Sequence, residues 1–294
     1  MEIRERFIKY LIEERSMART SLSAYLYDYN EFNAYMRDHK HKPLREAGHA
    51  DVVSYLMYLR ESGRSQATIN RKLAAVRSLF QMLIQSGEVA QDPTLNIKSP
   101  RLQRKAVEFL SVKEVEKLLE QPDDSTKGIR DRALLELLYA SGLRVSEISM
   151  ANLSDLNLRI GFITCTGQHG KARVIPIGRP ARAALETYVY EGRETLLRDK
   201  KDDGALFLNY AGDRISRQGV WKLLKEYAQK AGLESKLSPQ ILRNSFAAHM
   251  IQNGADIKSL QDLLGHEDIT ATQIFVSVTK NRIMDVYDKT HPRA

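Results

Sequence analysis

The chain has 294 residues, enough for two domains that each bury a core without metal or disulfide staples. Its 43% hydrophobic and 28% charged residues exclude a disordered or fibrous chain, and the single cysteine, Cys165, excludes a disulfide framework and any cysteine-based zinc site. The formal charge is +8, with 15 basic residues against 12 acidic ones up to position 100 and 30 against 25 beyond it, a balance that suits a polyanion partner without requiring one.

The opening MEIRERFIKYLIEE is charged throughout and lacks a signal-peptide core, and no apolar run approaches membrane-spanning length. A soluble, cytoplasmic protein is expected. From Thr20 to Arg37 the residues Leu22, Tyr25, Leu26, Tyr29, Phe32 and Met36 recur at three and four, one stripe of an amphipathic helix. Asp51 to Arg60 predicts a shorter helix with Asp51 as N-cap. Thr68 to Ser86 predicts a third, capped by Thr68, striped by Ile69, Leu73, Val76, Phe80 and Leu83, and ended by Gly87. Its other face carries Arg71, Lys72 and Arg77, read as a solvated face unless DNA is the partner. The aromatic stripes match burial, not base stacking.

The stretch DPTLNIKSPRLQRKAV carries two prolines, four basic residues and no period, which reads as a basic linker. Ser111 with Glu114 then makes a capping box. Asp131 to Ala140 is a buried helix, broken by Ser141-Gly142 before a new turn at Val145. Phe162–Thr166 and Arg173–Ile177 read as strands joined by GQHG, with Lys171 at the start of the second. Pro180–Tyr190 is helical, Ala205–Leu208 a short strand, and Ser216 caps a helix running to Lys230. Ser238-Pro239 opens the next helix, which Gly254 closes. Ile257–Leu264 and the tail from Gln273 to Asp288 complete the helical segments. The fold class is mainly α (α+β), with a small antiparallel hairpin.

Motifs for nucleotide binding, zinc hydrolysis and serine nucleophiles are absent, and Asp123-Asp124 and Asp202-Asp203 sit in loop-like stretches. No metal and no cofactor is expected. What remains is a set of basic residues in short unusual contexts: Arg144 in SGLRVSEI, Lys171 in GQHGKARVIP, Arg243 in SPQILRNSFAAHM and His266 in LLGHEDITATQIF. Taken singly, each has an ordinary reading as a helix-end cation, a hairpin charge, an ion-pair partner or a capping histidine.

Taken in order, SGLRVSE, GKARVIP, ILRNSFA, LLGH and TATQIF resemble the tyrosine recombinase (phage integrase) family, and within it the Xer-type recombinases of bacteria. The resemblance covers essentially the whole chain. It implies a helical, SAM-like DNA-binding domain over 1–97, a basic linker over 98–107 and a catalytic domain over 108–294. It implies metal-free phosphodiester exchange on double-stranded DNA, within a homo- or hetero-tetramer that includes a related recombinase. Arg144 and Arg243 would bind the non-bridging oxygens of the pentacoordinate phosphorus, Lys171 would protonate the leaving 5′ oxygen, and His266 would hydrogen-bond a non-bridging oxygen. A tyrosine would attack, storing bond energy in a 3′-phosphotyrosyl link. Arg71, Lys72 and Arg77, with Arg101, Arg104 and Lys105 of the linker, would contact DNA phosphates. Glu147 would orient Arg144 or stand exposed on its helix. The C-terminal segment would pack onto a neighbouring subunit.

The chain departs from that pattern in one neighbourhood. Phe275 stands at the nucleophile position and has no hydroxyl. Gln240 replaces the first helix-borne histidine, Asn244 follows Arg243, and Val276-Ser277-Val278 follows the nucleophile position. Tyr287 lies twelve residues on, about 18 Å along a continuous helix. Ser277 and Thr279 would need an activating base. Two expectations follow: a site-specific recombinase, or a homologue that binds DNA without cutting it.

Overall fold

The computed structural model describes residues 2–99, 107–167, 170–265, 270–273 and 275. Arg101, Arg104, Lys105, His266 and the tail beyond 275 lie outside the described residues. The chain divides into two compact units, Met1–Lys105 and Ala106–Ala294.

The first unit is built from α1 (Ile3–Glu13), α2 (Arg19–Tyr35), α3 (His49–Glu61) and α4 (Gln66–Gln85). The predicted helices over 20–37, 51–60 and 68–86 correspond to α2, α3 and α4. Helix α1 was not among the expected elements. It buries only Phe7, Tyr10 and Leu11, a stripe too sparse to stand out among its charges. Arg6 and Glu88 tie it, by a bonded pair of 2.5 and 2.8 Å, to the segment that follows α4. The core is aromatic: Phe32 packs 5.0 Å from Tyr55 and 6.3 Å from Phe80, ring centre to ring centre.

Three local expectations are corrected. Helix α4 starts earlier than Thr68, because the Ser65 hydroxyl accepts from the Thr68 N–H at 3.2 Å and Gln66-Ala67 continue the helix. Asp51 is not an N-cap; it lies in the first turn of α3 and accepts from the Gly48 N–H at 3.0 Å. Lys72 is not on a solvated face. It is 1% exposed, and its ammonium donates to Asp28 at 2.8 Å and to Glu31 at 3.0 Å. The reason is that α4 buries more than one stripe, so the lysine stem passes between α4 and α2 toward a carboxylate that is itself fully buried. Arg71 shares Asp28, and Arg77 bonds the Ile97 carbonyl and the Ser99 hydroxyl.

The second unit contains α5 (Val112–Leu119), α6 (Thr126–Ser141), α7 (Val145–Met150), β1 (Leu156–Asn157), β2 (Phe162–Thr166) and β3 (Ala172–Pro176). Then follow α8 (Arg179–Thr187), α9 (Arg193–Leu197), α10 (Arg217–Lys230), α11 (Pro239–Gln252), α12 (Ile257–Leu264) and α13 (Thr270–Gln273). The sheet order is β1-β2-β3, antiparallel throughout, with Cys165 opposite Arg173. The expected strand at Ala205–Leu208 is instead two isolated bridges, Asn152 with Ala205 and Leu208 with Arg214. Its four residues are fully buried, which gave the apolar signal without a ladder to join.

Helix α6 is buried on most sides, with Leu134, Leu135 and Leu137 at 0% exposure. Helix α11 is buried at every position from Leu242 to His249. Leu242 joins the main core, whereas Phe246, Ala247, Ala248 and Ile251 form a second cluster with Leu260, Leu264 and Phe275. Among the described residues no helix is long and apolar enough to cross a membrane.

Candidate functional site

Helix α6 ends at Gly142, whose φ of 58° is left-handed, and a Cβ there would overlap the Phe246 ring. The chain turns sharply and places Arg144 at the N-cap of α7. One turn on, Glu147 accepts from the Arg144 N–H at 2.7 Å and from the Arg144 guanidinium at 3.1 Å. Glu147 is not an exposed helix residue: its side chain is 8% exposed.

Arg173 reaches the same carboxylate from β3. Its two terminal nitrogens each donate to one Glu147 oxygen at 2.9 Å, a fork-to-fork pair, and its Nε donates to the Leu263 carbonyl at 2.9 Å. Arg243, on α11, donates to the Gly142 carbonyl and to the Leu264 carbonyl, the latter at 2.6 Å. It lies 4.0 Å from Glu147. Arg144 reaches the Gly265 carbonyl at 3.4 Å. Three consecutive carbonyls at the end of α12 are therefore each bonded by a different arginine. A helix C-terminus presents partial negative charge, so this is where guanidiniums are favoured.

Titration follows from this packing. Burial would push the Glu147 carboxyl up, but the bonds from Arg173 and the Arg144 N–H outweigh it and hold it below its ordinary value. Burial, with Arg144 repelling it, pushes Arg243 down to about 9, still cationic at neutral pH. Burial beside Glu147 raises the Cys165 thiol to about 11, so it is an unreactive thiol.

A cleft of about 960 Å³ opens on this cluster, lined by Arg144, Glu147, Cys165, Lys171 and Arg173 among others, with Asp155 and Asp262 also on its wall. Of the sequence-predicted residues, Arg144 and Lys171 line the cleft, and Arg243 stands behind Arg144. Lys171 is exposed at the start of β3, where its carbonyl accepts from the Gly167 N–H at 2.9 Å. Gln240 does not line the cleft; its amide donates to Asn244 at 2.9 Å, and Asn244 donates to the Glu108 carbonyl at 3.0 Å. Phe275 is 2% exposed in the apolar cluster of α11 and α12, with its N–H on the Thr272 carbonyl at 3.1 Å. Sequence reasoning missed Arg173. A partial signal lay in the alternation Arg173, Ile175, Ile177, which puts the arginine on the apolar face of its strand, where an inward-facing cation needs a carboxylate. Among the described residues no group of histidine, cysteine or carboxylate side chains is arranged to hold a metal ion.

Residues 108–282 match the phage integrase family, and residues 5–87 match the phage integrase N-terminal SAM-like domain. The chain belongs to the phage integrase, or tyrosine recombinase, family. Its relatives include the tyrosine recombinase XerD of Oceanobacillus iheyensis, 41% identical over 291 residues, 99% of this chain and 98% of that protein. The tyrosine recombinase XerC of Roseiflexus sp. is 42% identical over 278 residues, covering 93% and 88%. Among solved structures, the XerH site-specific recombinase bound to palindromic difH substrate matches with a TM-score of 0.73 and 21% identity, covering 96% of this chain and 83% of that one. At that identity the likeness concerns the fold alone. The tyrosine recombinase resemblance read from SGLRVSE to TATQIF thus holds over nearly the full chain.

Proposed function

We propose that this protein works in site-specific DNA recombination of the Xer kind, gripping double-stranded DNA within a multimer of recombinase subunits in the cytoplasm. The observation that carries the reading is the arginine cluster at the cleft. Arg144 is 41% exposed there, and Arg243 stands behind it as a fixed cation. Arg144 presents planar paired N–H groups to the anionic oxygens of a phosphorane, and Arg243, held by the Gly142 and Leu264 carbonyls, adds positive charge behind it. In this reading the attacking hydroxyl comes from a tyrosine of another subunit, since Phe275 has none; Lys171 protonates the 5′ oxygen it displaces, and His266 bonds a non-bridging oxygen. Arg71, Arg77 and the linker residues Arg101, Arg104 and Lys105 add phosphate contacts.

A second reading rests on Phe275. Without a hydroxyl at the family's nucleophile position, this chain binds and positions DNA while a partner subunit cuts. The test is a nicked suicide duplex incubated with the protein and with Phe275→Tyr, scored for a covalent adduct on a denaturing gel. An adduct only with the tyrosine variant supports an otherwise working pocket. No adduct with the parent protein, together with retained duplex binding, supports the non-cutting subunit, whereas an adduct with the parent protein removes that reading. Absence of duplex binding at low salt removes both readings, since phosphate neutralisation dominates such binding.

A further inference from the structure

The arginine cluster contains one residue to which no part of the mechanism above gives a task. Arg173 is on the hairpin strand β3, its side chain 12% exposed, yet it makes the strongest contacts to Glu147. We propose that Arg173 is a positioning residue: by occupying Glu147 with both terminal nitrogens, it keeps Arg144 available to a phosphate in the cleft. The inference rests on the phosphate-binding reading of the cleft.

The Glu147 carboxylate, 8% exposed, must be compensated, and whichever cation compensates it is withdrawn from other anions. Two guanidiniums compete for it. Arg173 forms the bidentate pair at 2.9 Å and 2.9 Å, whereas the Arg144 side chain makes one bond of 3.1 Å. Arg173 is thus the buried counter-ion, and Arg144, at 41% exposure, is the one turned to the cleft. Arg243 is 4.0 Å away and bonded to two carbonyls, so it is not placed to take over.

The surroundings are shaped for this guanidinium. Its Nε is held by the Leu263 carbonyl at 2.9 Å. Gly265, at φ 62°, leaves the space on its flank, where a Cβ would lie 2.9 Å from Arg173 Nη1 and 3.0 Å from its Cζ. A lysine ammonium offers neither the fork nor the Nε donor. Without Arg173, Arg144 is the guanidinium left hydrogen-bonded to Glu147, and that pair closes at the expense of a bound phosphate.

The experiment uses the full chain and inorganic phosphate as the probe, followed by calorimetry and by the Arg144 Nε–H signal in nitrogen-labelled protein. Arg173→Gln should weaken phosphate binding about tenfold, the size of coupling common inside one ion-pair network. Adding Glu147→Gln to it should restore affinity to within about threefold, because the carboxylate that captures Arg144 is gone. A merely structural arginine predicts the opposite, a double variant as weak as the single one or weaker. That result, or unchanged binding in Arg173→Gln, overturns the proposal while leaving the cleft reading intact. Should Arg173→Gln not fold, Arg173→Lys keeps the charge; weaker binding is expected there, and unchanged binding overturns the proposal. If phosphate leaves the Arg144 signal of the unaltered protein unmoved, the cleft reading fails and the proposal with it.

Discussion

Arg243 donates to the Leu264 carbonyl at 2.6 Å while another of its nitrogens takes the Gly142 carbonyl, so one guanidinium closes the C-terminal ends of α12 and α6. The side chain that the family resemblance would give to phosphate binding therefore holds the site's own scaffold. Replacing Arg243 with Leu strands two buried carbonyls and leaves Glu147 with one fewer cation. The expected loss is about 3 kcal/mol, the sum of unsatisfied acceptors and lost helix-end charge. Urea unfolding of the full chain checks it; a loss below about 0.5 kcal/mol would show that water replaces the guanidinium without cost.

Gly142→Ala should cost stability for two additive reasons. The backbone there is left-handed, and the new Cβ would overlap the Phe246 ring and sit 3.1 Å from Leu264. Left-handed strain contributes about 1 kcal/mol and overpacking about 1–3 kcal/mol. The Tm should fall accordingly, and Arg144 just beyond should lose phosphate affinity as α7 shifts. A variant as stable as the parent would mean that α11 yields easily.

In the first unit, Lys72→Met should destabilise by about 3 kcal/mol, because Asp28 is 0% exposed and would lose its buried cation, leaving it only the part-exposed Arg71. The double variant Lys72→Met, Asp28→Asn should recover much of that loss, since the fully buried charge is gone and the two groups that lose a partner, Arg71 and Glu31, are part-exposed. DNA affinity should change less than with linker substitutions at Arg101 or Arg104. If Lys72→Met weakened DNA binding while leaving unfolding unchanged, the lysine would be a phosphate contact after all.

Acid should weaken the protein between pH 5 and pH 2. Arg6, with the Ser86 hydroxyl, holds Glu88 down to about 2; Lys236 and Ser111 hold Glu114 to about 2; Arg193 holds Asp202 to about 2. A carboxylate whose folded value is depressed stabilises the fold above its unfolded value, and that contribution fades as pH falls toward 2. Burial raises Asp131 and Glu136, whose contributions run the other way and partly offset the fall. Urea midpoints at pH 5 and pH 2.5 give the size, and Glu88→Gln should flatten the slope. An equal slope in that variant would place the acid sensitivity elsewhere.

How much was legible in the sequence depends on the range of the interaction. Helices α2, α3 and α4 and the β2–β3 hairpin were readable, because periodicity and turn residues are local signals. Ser216 and Ser238, expected at the starts of α10 and α11, do accept the capping bonds there. Helix α1 was missed because its three buried residues are scattered among charges. Lys72 was misread because nothing within α4 announces that Asp28 and Glu31 lie across from it, more than 40 residues away along the chain.

The cleft divides along the same line. The chain by itself pointed to Arg144, Lys171 and Arg243 as candidates, since each sits in a short distinctive segment, and those segments in order carried the family. It also shows that position 275, where the resemblance expects a tyrosine, carries no hydroxyl. Only the tertiary structure decided that Glu147 is a buried hub, that Arg173 rather than Arg144 is its bidentate partner, and that Phe275 packs with Phe246 and Leu264. Each of those depends on elements far apart in sequence meeting at one helix end. There the strength of a charge pair is set by burial and angle, neither of which is written in residue order.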